Sequence, residues 1–159
     1  MNKGFALVEI VIASAIVSIS IFSLSTVSVL GSRLQRQSLE KIRANFLAEE
    51  GLEVMRFLRD KSWNANLANF FPGTNYYISF ATTTSEWSIG STAVSYIDFL
   101  FERKLTVENV FRDSNDNIVL SGGTNDPDSK KITSYVSWPE GNATTTISLS
   151  TYLSDIFDN

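Results

Sequence analysis

The sequence contains no cysteine and no histidine. The absence of cysteine excludes disulfide bonds, thiolate metal sites and a cysteine nucleophile. The absence of histidine removes the commonest general base and metal ligand. We therefore expect a protein that is not an enzyme and that holds no cofactor or metal ion.

The excess of one charge sign over the other is also small. The chain has 13 basic and 17 acidic residues, which give a formal net charge of −4. Nucleic-acid-binding proteins usually carry a basic patch or stripe, and the pair Lys130-Lys131 is too small for one. We expect no nucleic-acid partner. Hydrophobic residues make up 43% of the chain and charged residues 19%, which favours a packed domain over a disordered chain.

The run Phe5–Leu30 is apolar apart from small residues, and its only charge is Glu9. As a helix it would be about 39 Å long, enough to cross a hydrocarbon core of roughly 30 Å. A secretory signal peptide would have a shorter apolar core followed by a small-residue cleavage site, whereas a plain signal anchor fits the length. Neither explains Glu9, because an ionised carboxylate inside an apolar segment needs a partner.

The first nine residues, Met-Asn-Lys-Gly-Phe-Ala-Leu-Val-Glu, resemble the prepilin signature of type IV pilins and type II secretion pseudopilins. The resemblance implies that a prepilin peptidase cleaves between Gly4 and Phe5 and methylates the new amino terminus on Phe5. It also implies that Glu9 pairs with that amine and sets the register of the subunit during assembly.

The resemblance has departures. Many members of the family carry a proline about two-thirds along the apolar helix, where this chain has Thr26, and the first proline here is Pro72. A less kinked helix is therefore expected. Basic residues from Arg33 to Arg43 would by themselves place the following segment in the cytoplasm, whereas the resemblance places it outside.

A helical pattern continues to about Trp63. It predicts an apolar stripe that covers one face of a sheet and is made of Leu39, Ile42, Phe46, Leu47, Val54 and Leu58. Basic residues at positions 33–43 precede the acidic residues Glu49, Glu50 and Glu53. One interpretation is a solvated face with local pairs such as Glu53 with Arg56. The other is contact between axially staggered subunits.

After a break at 64–73 the period changes to two, which indicates strands. Asn75–Ala81 reads as a strand, alternating runs occur within Thr92–Asp113, and Lys131–Trp138 and Thr144–Leu153 complete an antiparallel set around a turn at Pro139–Asn142. The expected fold class is α+β, with a long N-terminal helix packed on a small antiparallel β-sheet domain.

Two short motifs have simpler explanations than ligand binding. Asp113–Asn117 resembles the start of a calcium loop but lacks the expected glycine, since Ile118 stands there, so turn chemistry explains it better. Asn142-Ala143-Thr144 fits a glycosylation sequon, as many unmodified turns do.

The expected organisation is a leader at 1–4, a transmembrane and fibre-core helix at 5–31, an amphipathic half of the helix at 32–63 and an exterior β-domain at 64–159. The resemblance implies a structural subunit of a type IV pilus or pilus-like fibre. Its partners would be other pilin subunits, the prepilin peptidase, an inner-membrane assembly platform and, before assembly, membrane lipid. It would lie in the cytoplasmic membrane first and in an extracellular or periplasmic filament afterwards. The alternative is a monomeric, membrane-anchored extracellular binding module, for which Glu9 has no use.

Overall fold

The computed structural model describes residues 3–93 and 96–157, with side chains from Leu7 onward. The chain divides into two compact units, Met1–Lys41 and Ile42–Asn159. One helix, α1 (Lys3–Lys61), supplies nearly all of the first unit and the first twenty residues of the second. It continues through Thr26 and Gly31 without interruption.

The second unit is α+β, as the sequence predicts. After α1 come a single helical turn, α2 (Trp63–Asn66), and six strands: β1 (Asn75–Ala81), β2 (Glu86–Gly90), β3 (Glu102–Arg112), β4 (Ile118–Val119), β5 (Thr124–Glu140) and β6 (Ala143–Ser154). Ser62 ends the long helix and caps the short one, because its hydroxyl accepts from the Ala65 N–H at 3.2 Å.

All strand pairs are antiparallel, and the sheet order is β2-β1-β3-β5-β6, with β4 paired to the end of β3. The predicted strand Asn75–Ala81 is confirmed with its bounds, and the other two predicted strands lie inside β5 and β6. Of the alternating runs predicted within Thr92–Asp113, the structure forms one long strand, β3, which begins at Glu102. The strand β2 was not predicted.

The core lies between the sheet and residues 42–61 of the helix. One cluster joins helix residues such as Met55 and Leu58 to Leu105, Val107 and Ile132 of the sheet. A second cluster joins Ala44 and Ala48 to Phe101, Val136 and Trp138. A register shift between Asn109 and Val110 leaves extra residues on β5, including Pro127, which cannot donate to a ladder.

The two edges of the sheet differ. At one edge, β2 has five residues and begins with the charged Glu86, which pairs with Lys61 at 3.5 Å. At the other, β6 has twelve residues, none of them charged and none of them proline. Within the described residues, β6 is paired only with β5.

Candidate functional site

In the first unit, the helix presents apolar side chains to its surroundings on every side. All residues from Leu7 to Arg36 are exposed, including Phe22 at 74% and Leu24 at 73%. The helix contains an 18-residue window of mean hydropathy 2.4, none of which is buried. In the described part of the chain this is the one helix long and apolar enough to cross a membrane. An apolar surface of this extent requires lipid or another protein to cover it.

Seven of the eight serine and threonine hydroxyls from Ser14 to Ser32 bond to carbonyls of the helix itself. Ser14 donates to the Val11 carbonyl at 2.9 Å, and Ser18 donates to the Ser14 carbonyl at 2.7 Å. The same bond to the carbonyl four residues earlier is made by Ser20, Ser23, Ser25, Thr26 and Ser32. These donors therefore need no water or partner, which keeps the segment compatible with a hydrocarbon environment.

Glu9 is the one charged side chain between Leu7 and Ser32, and it is exposed. It shares a shallow face of the helix with Ile12, Ala13 and Ile16. No ion pair or hydrogen bond joins Glu9 to another described side chain. The structure thus places a carboxylate on an apolar surface. Gly4 and Phe5, the predicted cleavage site, belong to α1, and the side chain of Phe5, the other predicted assembly residue, lies outside the described part.

The face of α1 that packs on the sheet differs from the predicted stripe. Val54 and Leu58 are buried and Leu47 is partly buried, but Leu39, Ile42 and Phe46 are 54%, 49% and 65% exposed. That part of the prediction was wrong.

The sheet side is instead formed by Ala44, Ala48 and Gly51, followed by Met55. Small residues let the helix backbone approach the strands closely. A Cβ added at Gly51 would lie 2.7 Å from Ser134 Oγ, so the contact leaves no room for a methyl group. The large apolar residues of the sequence therefore do not indicate which side of the helix faces the sheet, because alanine and glycine contribute little to a hydrophobic pattern.

Ile42, Phe46 and Phe57 form an apolar patch on the side of the helix away from the sheet, interrupted by the exposed Glu53, which lies on the same side. Ile42 and Phe46 are one turn apart, and Phe57, which is 52% exposed, follows eleven residues after Phe46, within about 20° around the helix axis. Of the acidic residues between Phe46 and Phe57, one forms a pair on the helix surface and one forms a pair with the sheet. Glu53 pairs with Arg56 on the exposed surface, as predicted.

Glu50 has a structural partner that the sequence does not indicate. It forms an ion pair with Arg103 of β3, whose side chain is 6% exposed and which also donates to the Leu47 carbonyl at 3.0 Å. A buried guanidinium without its carboxylate would be costly. The acidic stretch is therefore not simply a solvated face, because one of its three carboxylates fixes the helix to the sheet.

The loop Asp113–Asn117 is organised by its own hydrogen bonds. Asp113 Oδ1 accepts from the N–H groups of Asn115 and Asn117, both at 2.9 Å, and Oδ2 accepts from Asn117 Nδ2 at 3.2 Å. Asp116 adopts a positive φ of 66°, which aspartate tolerates in turns. The bond from the Asn117 backbone is the main reason that the pKa of Asp113 lies below its usual value. These contacts support the interpretation as a turn.

A second ionic group holds the end of β3 to β5. Arg112 Nε lies 2.6 Å from Asp126 Oδ2, and Arg112 also donates to Ser129 Oγ at 3.3 Å. Burial favours the neutral form of Asp126. The hydrogen bonds from Arg112, Ser129 and the Asp128 N–H outweigh that effect, so the pKa of Asp126 is lowered.

An aromatic residue is displayed by a strained turn before β3. Asp98 and Phe99 both have positive φ, 51° and 55°, and the Leu100 N–H donates to the Ile97 carbonyl at 3.0 Å. Phe99 is 100% exposed and lies at the mouth of a cavity of about 250 Å³ whose wall includes Trp138. A bulky residue in the left-handed region costs free energy, since its Cβ crowds the backbone.

Comparison of the chain with protein-family models, with curated proteins and with solved structures finds no match. The described residues also contain no group of three or more acidic side chains placed to hold a metal ion. The feature that stands out is the exposed apolar helix with its single carboxylate.

Proposed function

We propose that the chain is a non-enzymatic structural subunit of a type IV pilus or pilus-like fibre, which assembles through its N-terminal helix. The observation that carries the proposal is Glu9, the only charge in the exposed apolar segment from Leu7 to Leu30, where most hydroxyls already bond to carbonyls of the helix. A lone carboxylate in a membrane segment costs about 3 kcal/mol on insertion scales, so it is retained where a partner uses it.

The proposed partner is the amino group that cleavage after Gly4 would create on Phe5. Glu9 follows four positions after Phe5, about one helical turn, so a pair could form within a subunit or between neighbours. In this proposal the precursor resides in the cytoplasmic membrane, where a prepilin peptidase removes residues 1–4 and methylates Phe5. An assembly platform then transfers the subunit from lipid into an extracellular or periplasmic fibre.

The apolar patch of Ile42, Phe46 and Phe57 supports the same proposal. It lies on the helix side that faces away from the subunit's own sheet, and large side chains there gain by being covered. In a fibre, helices of neighbouring subunits would cover it. A monomeric anchored module would leave the patch in water.

The experiment compares Glu9→Gln with wild type in the native host. The substitution removes the charge and keeps the size, so membrane insertion and leader removal should survive while assembly fails. We expect processed protein in the membrane fraction and at least a tenfold loss of sheared fibre, equivalent to about 1.4 kcal/mol of docking free energy.

Ser14→Ala is the matched control, because it removes a polar group from the same segment without removing charge, and fibre yield should be unchanged. Mass analysis of the amino terminus should find methylated Phe5 as the first residue in both variants. Wild-type amounts of fibre from Glu9→Gln would contradict the role of the carboxylate. A mature chain that begins at Met1 would contradict the processing step.

A further inference from the structure

The outer edge of β6 is an unpaired strand of unusual length and composition. Its sequence, ATTTISLSTYLS, runs for twelve residues from Ala143 to Ser154. Its partner β5 satisfies one side of the backbone, and no other described strand borders the opposite side. The outward N–H and C=O groups therefore form a row that another strand can bond.

Natural sheets usually protect such an edge, and this chain protects only one of its two. The β2 edge is short and carries Glu86 in an ion pair. The β6 edge has no lysine, no other charge, no proline and no register shift along its pairing with β5. Each missing feature is one that discourages strand addition. Of the two edges, β6 is therefore the one at which a further strand could be added with less hindrance.

We propose that β6 pairs antiparallel with β6 of a second copy of this chain, about a two-fold axis at Ser148. In this register Ile147 faces Leu149 of the other copy, and every other facing pair from Thr144 to Tyr152 consists of hydroxyl-bearing residues. Antiparallel partners that face one another lie on the same side of the sheet, so both sides of the two sheets continue across the axis.

Contacts within the subunit show that hydroxyl pairs of this kind are accommodated here. Thr133 and Ser150 hydroxyl oxygens are 3.0 Å apart across β5 and β6, and those of Ser129 and Ser154 are 2.9 Å apart. Because the strand is uncharged, no like charges meet when it faces its own copy. A strand without charge selects poorly among foreign partners but suits a symmetric match.

The pairing is separate from the proposed fibre contacts. Subunits within a helical fibre are related by a screw rotation, whereas β6 pairing is an isologous two-fold contact. It would therefore join subunits of two fibres, or two subunits before assembly, and it does not depend on Glu9.

Single cysteines test the register, because the chain has no cysteine of its own and any disulfide must join two copies. The full chain is purified in detergent and oxidised with copper phenanthroline. Ser148→Cys should form a disulfide-linked dimer, since the residue faces itself across the axis within disulfide range. Thr146→Cys and Ser150→Cys should each form no disulfide-linked dimer alone, and the two variants should cross-link to each other when they are mixed. Association through the apolar helix would not produce this pattern.

A lysine at the axis tests the energetics. Ser148→Lys places two ammonium groups opposite each other, and sedimentation in detergent should show dimerisation weakened on the order of tenfold. Thr83→Lys, in the exposed turn between β1 and β2, is the control and should leave dimerisation unchanged. Circular dichroism should be the same for both. The proposal is overturned if Ser148→Cys cross-links no faster than Thr83→Cys, or if Ser148→Lys dimerises like wild type.

Discussion

Replacing Gly51 by alanine sets two opposing effects against each other on the sheet-facing side of α1. Alanine is favoured over glycine in a helix interior by about 1 kcal/mol. The new Cβ, however, would lie 2.7 Å from Ser134 Oγ, 3.4 Å from Arg103 Cδ and 3.5 Å from Ser134 Cβ. The first distance is one that real Cβ atoms essentially never show, so the serine or the helix has to move.

Movement is restricted on both sides of this contact. Ser134 is 0% exposed in the middle of β5, and Arg103 is held by its ion pair with Glu50. Overpacking of a buried site typically costs about 1–3 kcal/mol. Subtracting the gain in helix propensity, we expect Gly51→Ala to lower the free energy of unfolding by about 0–2 kcal/mol.

Removing the Ser134 hydroxyl should relieve the destabilisation caused by Gly51→Ala. It is buried and has no hydrogen-bond partner among the described residues, so Ser134→Ala removes an unsatisfied group and should be neutral or slightly stabilising. In the double variant the 2.7 Å contact no longer exists, and the remaining distances are ordinary ones. We expect Gly51→Ala with Ser134→Ala to be at least as stable as Ser134→Ala alone.

The four proteins form a double-mutant cycle, measured by thermal and guanidinium unfolding of the full chain in detergent with near-ultraviolet circular dichroism. The coupling free energy should be about 1–3 kcal/mol and favourable in the double variant. Gly51→Ala that gains the full helix propensity of about 1 kcal/mol over wild type, or a cycle with no coupling, would refute the close approach of helix and sheet.

Three further outcomes follow from the ionic contacts and the strained turn. Glu50→Lys should destabilise the fold by about 2–4 kcal/mol because it leaves the buried Arg103 beside a second cation, whereas Glu53→Lys, which breaks an exposed pair, should cost under about 1 kcal/mol in the same unfolding assay. The lowered pKa of Asp126 means that its contribution is present above the unfolded pKa of about 3.9 and is lost as pH falls through the lower folded value. Asp126→Asn should therefore reduce stability at pH 7 and flatten the loss of stability that accompanies acidification below the unfolded pKa. Phe99→Gly should raise the free energy of unfolding by about 1 kcal/mol, since glycine adopts the positive φ without strain and the ring is fully exposed, and a lower melting temperature would contradict this.

The sequence predicted the α+β class and the strands with clear alternation. Within Asn75–Ala81, the buried Tyr76 and Ile78 alternate with the half-buried Tyr77 and Ser79, and the strand was found with its bounds. β2 was missed because Glu86–Gly90 is a short edge strand that contains serine and glycine and buries little. The alternating runs within Thr92–Asp113 did not fix where β3 begins, because Phe99, an apolar residue before Glu102, lies in a turn and is fully exposed.

The candidate site was only partly predictable. The apolar run and Glu9 were evident from composition, because a single charge in such a run is conspicuous without any knowledge of the fold. The sheet-facing side of the helix depends on Ala44, Ala48 and Gly51, whose role becomes visible only when the distance to β5 is known. The partner of Glu50 lies 53 positions later in the chain, and nothing local to either residue indicates the pairing.

The serine-to-carbonyl bonds of the first unit have a mechanical consequence. A proline produces one soft point in a helix, and bending or stretching concentrates there. In this chain, hydroxyls from Ser14 to Ser32 share carbonyls with the backbone ladder at seven places, and each shared carbonyl slightly loosens one turn. Compliance is thereby spread over several turns in series. Under axial load we therefore expect this part of the helix to deform over several turns rather than at one point.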